Sequence, residues 1–151
     1  MQPDLSLFGH RYPYRVKTFQ VDRQNVVHNI WYFFMLEEAR VEFIRSVGMR
    51  IDAEAFVTHS KYFVVRNTCD YYAPASFDQD LMIHSRISMV KNSSLTFEHV
   101  IYNESSGQIS AMATHVLVHV DVDTNRPARV PDDMRELILA HEGDRVRFVE
   151  D

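Results

Sequence analysis

From about residue 28 to 47 the chain is apolar in a helical rhythm. Ile30, Trp31, Tyr32, Phe33, Phe34, Met35 and Leu36 form a run that is apolar on almost every side. Leu36, Ala39, Phe43 and Val47 then recur at three- and four-residue spacing. Glu37, Glu38, Arg40, Glu42 and Arg45 are expected to cover the opposite side, and Gly48 stands where a helix C′ stop is needed. The spacing predicts one long helix whose first turns must be enclosed by the rest of the chain.

The remainder reads in twos. Residues 12–19, YPYRVKTF, alternate like a strand, with Pro13 suited to an edge or a strand start. Lys61 to Tyr72 is rich in aromatic and β-branched residues. Leu81, Ile83, Ile87 and Met89 share one face with Ser85 between them. Leu95, Phe97, His99 and Ile101 share another, and Val116, Val118 and Val120 lie in phase on a third strand, 109–120. Ala73-Pro74, Asn92-Ser93-Ser94 and Asn103 to Gly107 are turn signals, so the connections favour antiparallel hairpins. Asp133 and Glu136 have the spacing of a capping box before a short helix. Strand, long helix, meander and small helix make an α+β chain, one antiparallel sheet curled around one helix.

Composition narrows the class. The 151 residues, 46% hydrophobic and without a low-complexity linker, suggest a single domain over 1–151. A net charge of −5 gives no general attraction to nucleic acid or to an anionic membrane. The longest apolar run, Ile30 to Leu36, is too short to span a bilayer, and the N-terminus lacks the pattern of a secretory signal. The single cysteine, Cys69, allows no intrachain disulfide, so a cytoplasmic protein is expected.

Asp22 is the candidate that stands out, a carboxylate just before the long helix. A helix N-terminus can stabilise an oxyanion, and a neighbouring acid can attack the same carbonyl or activate water. The plain alternative is an acidic turn residue or helix cap. His28 and Asn29 read as capping residues, and Trp31 and Tyr32 as packing.

The segment resembles the hotdog-fold acyl-CoA thioesterases of the 4-hydroxybenzoyl-CoA thioesterase type. The residues that carry the resemblance are Asp22, Asn25, Val26-Val27, His28-Asn29, Tyr32, Glu37-Glu38-Ala39-Arg40 and Gly48. Downstream, Tyr72 to Ala75, Asp80-Leu81, Ser93-Ser94 and Val118 to Pro131 follow the same layout. Gln20 stands where many members carry a second Asp, and Asn25 where Gly is usual; Asn tolerates the left-handed backbone a turn requires.

The resemblance implies a hotdog fold and hydrolysis of an acyl-CoA or acyl-carrier-protein thioester. It assigns the nucleophile or general base to Asp22 and the oxyanion donor to the Asn29 backbone N–H. It also implies a homodimer or homotetramer with sites built across subunits. Candidate substrate-binding residues are His28, Tyr32, Ser93, Ser94, Arg126 and Arg129. No cofactor is expected, coenzyme A being part of the substrate, whose phosphates exposed arginines can pair. A non-catalytic thioester-binding or regulatory module of the same fold is the alternative. A dehydratase or hydratase needs its own His and acid motifs, which do not appear.

Other constellations fall away. There is no Gly-x-Ser-x-Gly elbow. Cys69 reads as a small core residue. His115, His119 and Asp121 share even spacing without a Cys/His metal motif, so no metal is expected. Asp121 to Asn125 opens like a calcium loop, but Arg126 occupies the required Gly position, leaving an ordinary turn.

Overall fold

The computed structural model describes residues 2–58 and 61–150, without the Phe56 side chain. The chain runs β1 (His10–Arg15), α1 (Ile30–Ser46), α2 (Ala53–Thr58), β2 (Tyr62–Tyr71), β3 (Asp80–Val90), β4 (Ser94–Asn103), β5 (Gln108–His119), α3 (Asp132–Glu142) and β6 (Arg147–Phe148). The sheet order is β1-β3-β4-β5-β2, with every neighbouring pair antiparallel. The two-residue β6 adds a parallel pairing to the end of β3. This is the α+β arrangement expected, a long helix lying in a curved antiparallel sheet.

The core forms two clusters along α1. Tyr32, Met35, Leu36 and Ala39 pack on Leu81, Ile83, Ile101, Ala111 and Ala113. Further along, Phe43 packs with Ile87, Leu95, Phe97, Leu117 and Met134. Phe43 meets Phe97 edge-on at 5.4 Å and is fully buried, a burial that stabilises by about 1.5–3 kcal/mol. The N-terminus of α1 therefore lies toward the β4–β5 hairpin, and its C-terminus toward the β3–β4 hairpin. Gly48, at φ 101°, ends the helix as expected.

Several expectations need correction. The helix is not enclosed all round: Ile30 and Phe34 remain 52% and 56% exposed. Conversely Arg40, expected on the solvent side, is buried at 8% exposure, because it lies four residues after Leu36 and three before Phe43. A bulge between Ile87 and Met89 changes the phase of β3, so Val90 rather than Met89 points inward. On β5 the buried face carries Ala111, Ala113, His115, Leu117 and His119, leaving Val116 and Val118 outside. The capping box does not form: α3 starts at Asp132 behind Pro131, and Asp133 accepts instead from the Met134 N–H at 2.8 Å. β1 is shorter than residues 12–19 suggested, giving way to a single 3-10 turn at Thr18–Gln20.

Candidate active site

The turn between β1 and α1 is built by its own polar residues. Val21 and Val27 pair as an isolated bridge, closing a loop with Asp22 at its start. Asp22 Oδ1 accepts from the backbone N–H groups of Gln24 at 2.8 Å and Val26 at 3.2 Å. Both contacts fall on one oxygen. Asn25 takes φ 61°, the left-handed conformation expected of it, and its Oδ1 accepts from the Phe77 N–H at 3.0 Å. Gln20 is a structural residue, 2% exposed, donating to the Tyr14 hydroxyl at 2.6 Å and accepting from the Lys17 N–H at 2.9 Å.

Helix α1 begins immediately after this turn. The Trp31 and Tyr32 N–H groups donate to the carbonyls of His28 and Asn29, and the Ile30 N–H reaches His28 Nδ1 at 3.4 Å. His28 thus acts as a weak cap. Among the described residues the Asn29 N–H has no acceptor. It stands at the positive end of the helix dipole with a free donor. The first turn therefore presents what an oxyanion requires.

A cleft of about 290 Å³ opens here, lined by Val26, Asn29, Tyr32, Tyr71, Ala73 and Pro74 among others. Tyr32 is 3% exposed and belongs to the core as well as the cleft wall. Tyr71 was not singled out from the sequence. Its hydroxyl donates to the Asn29 carbonyl at 3.3 Å, and its ring meets Tyr32 at 5.4 Å. Burial pushes its hydroxyl up to about 12, so it remains a donor at neutral pH. It ends β2 opposite Ala111, a pairing that only the fold reveals. Asp22 opens onto a broader, shallower concavity with Val21, Arg23 and Gln24.

The remaining candidates lie at the other end of the molecule. Ser93 and Ser94 form the β3–β4 hairpin, where the His119 N–H donates to the Ser93 carbonyl at 2.8 Å. The loop carrying Arg126 and Arg129 packs against that hairpin through the Val130 N–H, which donates to the Asn92 carbonyl at 2.8 Å. Arg129 is engaged with Asp132 at 3.3 Å. Arg135, which extends the same basic stretch, is a buried staple: it donates to the carbonyls of Val130, Lys91 and Asn92 at 2.8–2.9 Å. Within one chain, these serines and arginines are a helix length away from Asp22.

No metal centre forms among the described residues. His115 faces Arg40 inside the fold, His119 packs on the Tyr62 ring at 5.0 Å, and Asp121 caps a turn through the N–H groups of Asp123 and Thr124. Cys69 is half-buried and packs against the first core cluster. Among the described residues no helix is long and apolar enough to cross a membrane.

Known proteins share this pattern. The acyl-CoA thioester hydrolase YbgC of Escherichia coli O157:H7 is 32% identical over 122 residues, covering 80% of this chain and 89% of its own. A putative esterase of Aquifex aeolicus is 30% identical over 112 residues, covering 71% and 83%. A thioesterase from Thermus thermophilus, solved with coenzyme A and Zn, superposes with a TM-score of 0.77 at 26% identity, over 90% of this chain and 96% of that one. The profile of the Thioesterase-like superfamily matches residues 16–138. That span runs from the end of β1 through α1 and the meander into α3, and on it the chain belongs to the thioesterase-like superfamily with a hotdog fold.

Proposed function

We propose that the protein hydrolyses an acyl thioester of coenzyme A or of an acyl carrier protein, releasing the free acid and the thiol. One observation carries this: an exposed carboxylate, Asp22, is held by two backbone N–H groups just before a helix whose Asn29 N–H has no acceptor. In the nucleophilic route an Asp22 oxygen bonds to the thioester carbon, the C–S bond breaks, and the thiolate leaves. Water then opens the mixed anhydride, restoring the carboxylate and freeing the acid. In the general-base route Asp22 takes a proton from water as it attacks. In both, the Asn29 N–H receives the developing oxyanion. A thiol of ordinary pKa, ~8.5, leaves without a general acid, so the reaction calls for no cofactor. The related hydrolases support this reading, and the lone, unpaired Cys69 is compatible with a cytoplasmic setting.

The active assembly is a homodimer joined along β2, alone or within a tetramer. Among the described residues β2 pairs only with β5 and leaves its other edge open, with Phe63 and Val65 48% and 60% exposed beside the uncovered Ile30 and Phe34. An open edge whose first half, Tyr62 to Val65, is apolar favours pairing. Tyr62 lies at the β3–β4 hairpin end of the sheet and Tyr71 at the Asp22 end. Two-fold antiparallel pairing of β2 with its copy therefore brings Ser93, Ser94 and Arg126 of one subunit toward Asp22 of the other. The separated candidates then form one site, with the arginine loop free to meet coenzyme A phosphates.

A binding module without turnover is the second reading, favoured by the open surface on which Asp22 lies in a single chain. Thiol release across acyl-CoA chain lengths, measured for the wild type and Asp22→Asn, separates the two. Turnover that depends on Asp22 supports the enzyme; tight binding without thiol release supports the module.

A further inference from the structure

Beyond the helix N-terminus, α1 carries a second polar feature that the hydrolytic chemistry does not use. Arg40 is 8% exposed in the middle of the helix. A buried guanidinium needs a counter-charge or full hydrogen bonding. Its Nη1 donates to His115 Nδ1 at 3.0 Å. That imidazole supplies no negative charge: it is neutral, since burial and the guanidinium beside it hold its pKa down to about 4. The acid nearest to Arg40, Glu37, approaches only to 3.7 Å and is itself 64% exposed. A guanidinium has five donors, and these contacts leave most of them unused.

Arg40 also stands where two cavities meet. The first, about 330 Å³, starts beside Ile30, one residue past Asn29, and runs under Phe33 and Phe34 to Asn67 and His115. The second, about 250 Å³, continues past Arg40 between Val41, Ile44, Met49, Leu95, Leu117 and Met134. Tyr62 lines it too, and its buried hydroxyl has no partner among the described residues. The walls of the track are mostly apolar, with Glu37 at its rim, Asn67 and His115 on one side, Arg50 at the far end and one buried cation, Arg40, at its midpoint. Helix rise puts Arg40 about 16 Å from Asn29. Helical side chains lean toward the N-terminus, so the guanidinium lies nearer than that.

We propose that this groove takes an acyl chain bearing a carboxylate at its far end, and that Arg40 binds that carboxylate. The preferred substrates are then half-thioesters of dicarboxylic acids. The apolar walls accept the methylene chain, and the carboxylate supplies a closer counter-charge than Glu37, which stands at 3.7 Å on the exposed rim. An unsubstituted chain leaves the guanidinium buried beside hydrocarbon, so the same residue selects against simple fatty acyl groups. This rests on the thioesterase reading and names the substrate class of that site.

The test compares adipyl-, suberyl- and dodecanedioyl-CoA with the unsubstituted acyl-CoA of equal length. In the wild type the carboxyacyl partner is preferred in kcat/KM by about ten- to a hundredfold at the length that fits, the range expected of a hydrogen bond to a charged group. Arg40→Met inverts that ratio, and Arg40→Lys retains part of it, chiefly through KM. Equal rates or a preference for the unsubstituted chain in the wild type overturns the inference. So does an equal loss on both substrates in Arg40→Met. If the Met variant does not fold, inhibition of the wild type by free suberate against octanoate decides, and inhibition by suberate no stronger than by octanoate overturns it. A wild type that hydrolyses no thioester sinks the proposed function instead. Calorimetric binding of the same two acids then reads Arg40 on its own, with stronger suberate binding as the supporting result.

Discussion

The Arg40 guanidinium donates to His115 Nδ1 at 3.0 Å across the seam between α1 and β5. Arginine has no acceptor to offer, so Nδ1 is the unprotonated nitrogen and His115 carries its proton on Nε2. Its neighbour His99, 1% exposed, contacts the Ser85 hydroxyl through Nδ1 at 2.7 Å and lies 4.9 Å from the His115 ring. Burial first, then the adjacent cations, lower the pKa of both rings.

The pH dependence of stability follows from that pair. The unfolded chain binds protons on these histidines below about pH 6.5, while the folded chain resists them until about pH 4 at His115. Stability is therefore unaffected above pH 6.5 and is lost as pH falls through that window. Melting temperatures measured from pH 7 to pH 4.5 should drop, and His115→Gln should flatten the slope. Gln keeps an acceptor for Arg40 but does not titrate. An unchanged slope would count against His115 as the source.

Asp22→Asn should lower kcat by about 10²–10⁴-fold, the range for a positioned base, and by more if Asp22 is the nucleophile. Asn retains an Oδ1 for the Gln24 and Val26 N–H groups, so the turn survives and circular dichroism should be unchanged. Asn29→Ala keeps the backbone donor and should cost far less. Wild-type turnover in pure Asp22→Asn would remove Asp22 from the chemistry.

Val65→Asp puts a charge on the open β2 edge. Sedimentation should shift from a multiple of 17.7 kDa in the wild type to the single chain, with turnover lost in parallel. A wild type that sediments as one chain at micromolar concentration, yet is fully active, would refute the shared site.

Arg126 and Arg135 should behave oppositely. Arg135→Ala removes one donor from each of three backbone carbonyls, of which Asn92 keeps the Val130 N–H, and should cost about 2–4 kcal/mol in denaturant unfolding. Arg126→Ala should leave stability alone and raise KM for coenzyme A thioesters. That rise should vanish with pantetheine thioesters, which lack the nucleotide.

The sequence revealed most where one pattern ran undisturbed. α1, its Gly48 stop and the buried face of β4 followed from spacing alone. The phase of β3 was lost at the Ile87–Met89 bulge, because one extra residue reverses every later assignment and leaves no compositional mark. On β5, Val116 and Val118 drew attention to the outer face, while the inner face used Ala, His and Leu. Arg40 was hidden by its charge, although its position between Leu36 and Phe43 was readable. Asp22 and Asn29 became candidates through the resemblance, and the left-handed turn at Asn25 was readable from residue type. Tyr71 needed the fold, since its contact with Asn29 spans 42 residues.

The two borders of the sheet are unlike. On β1, Arg11 and Arg15 flank Pro13, which has no N–H to give. On β2, the border is apolar from Tyr62 to Val65, holds no proline, and its pairing with β5 is regular apart from the local bulge at Val64/Arg66. A chain with one joinable border and one blocked border has a valence of one. In the proposed dimer, sheet growth ends at a pair, and a surface that could seed fibres becomes a self-limiting seam.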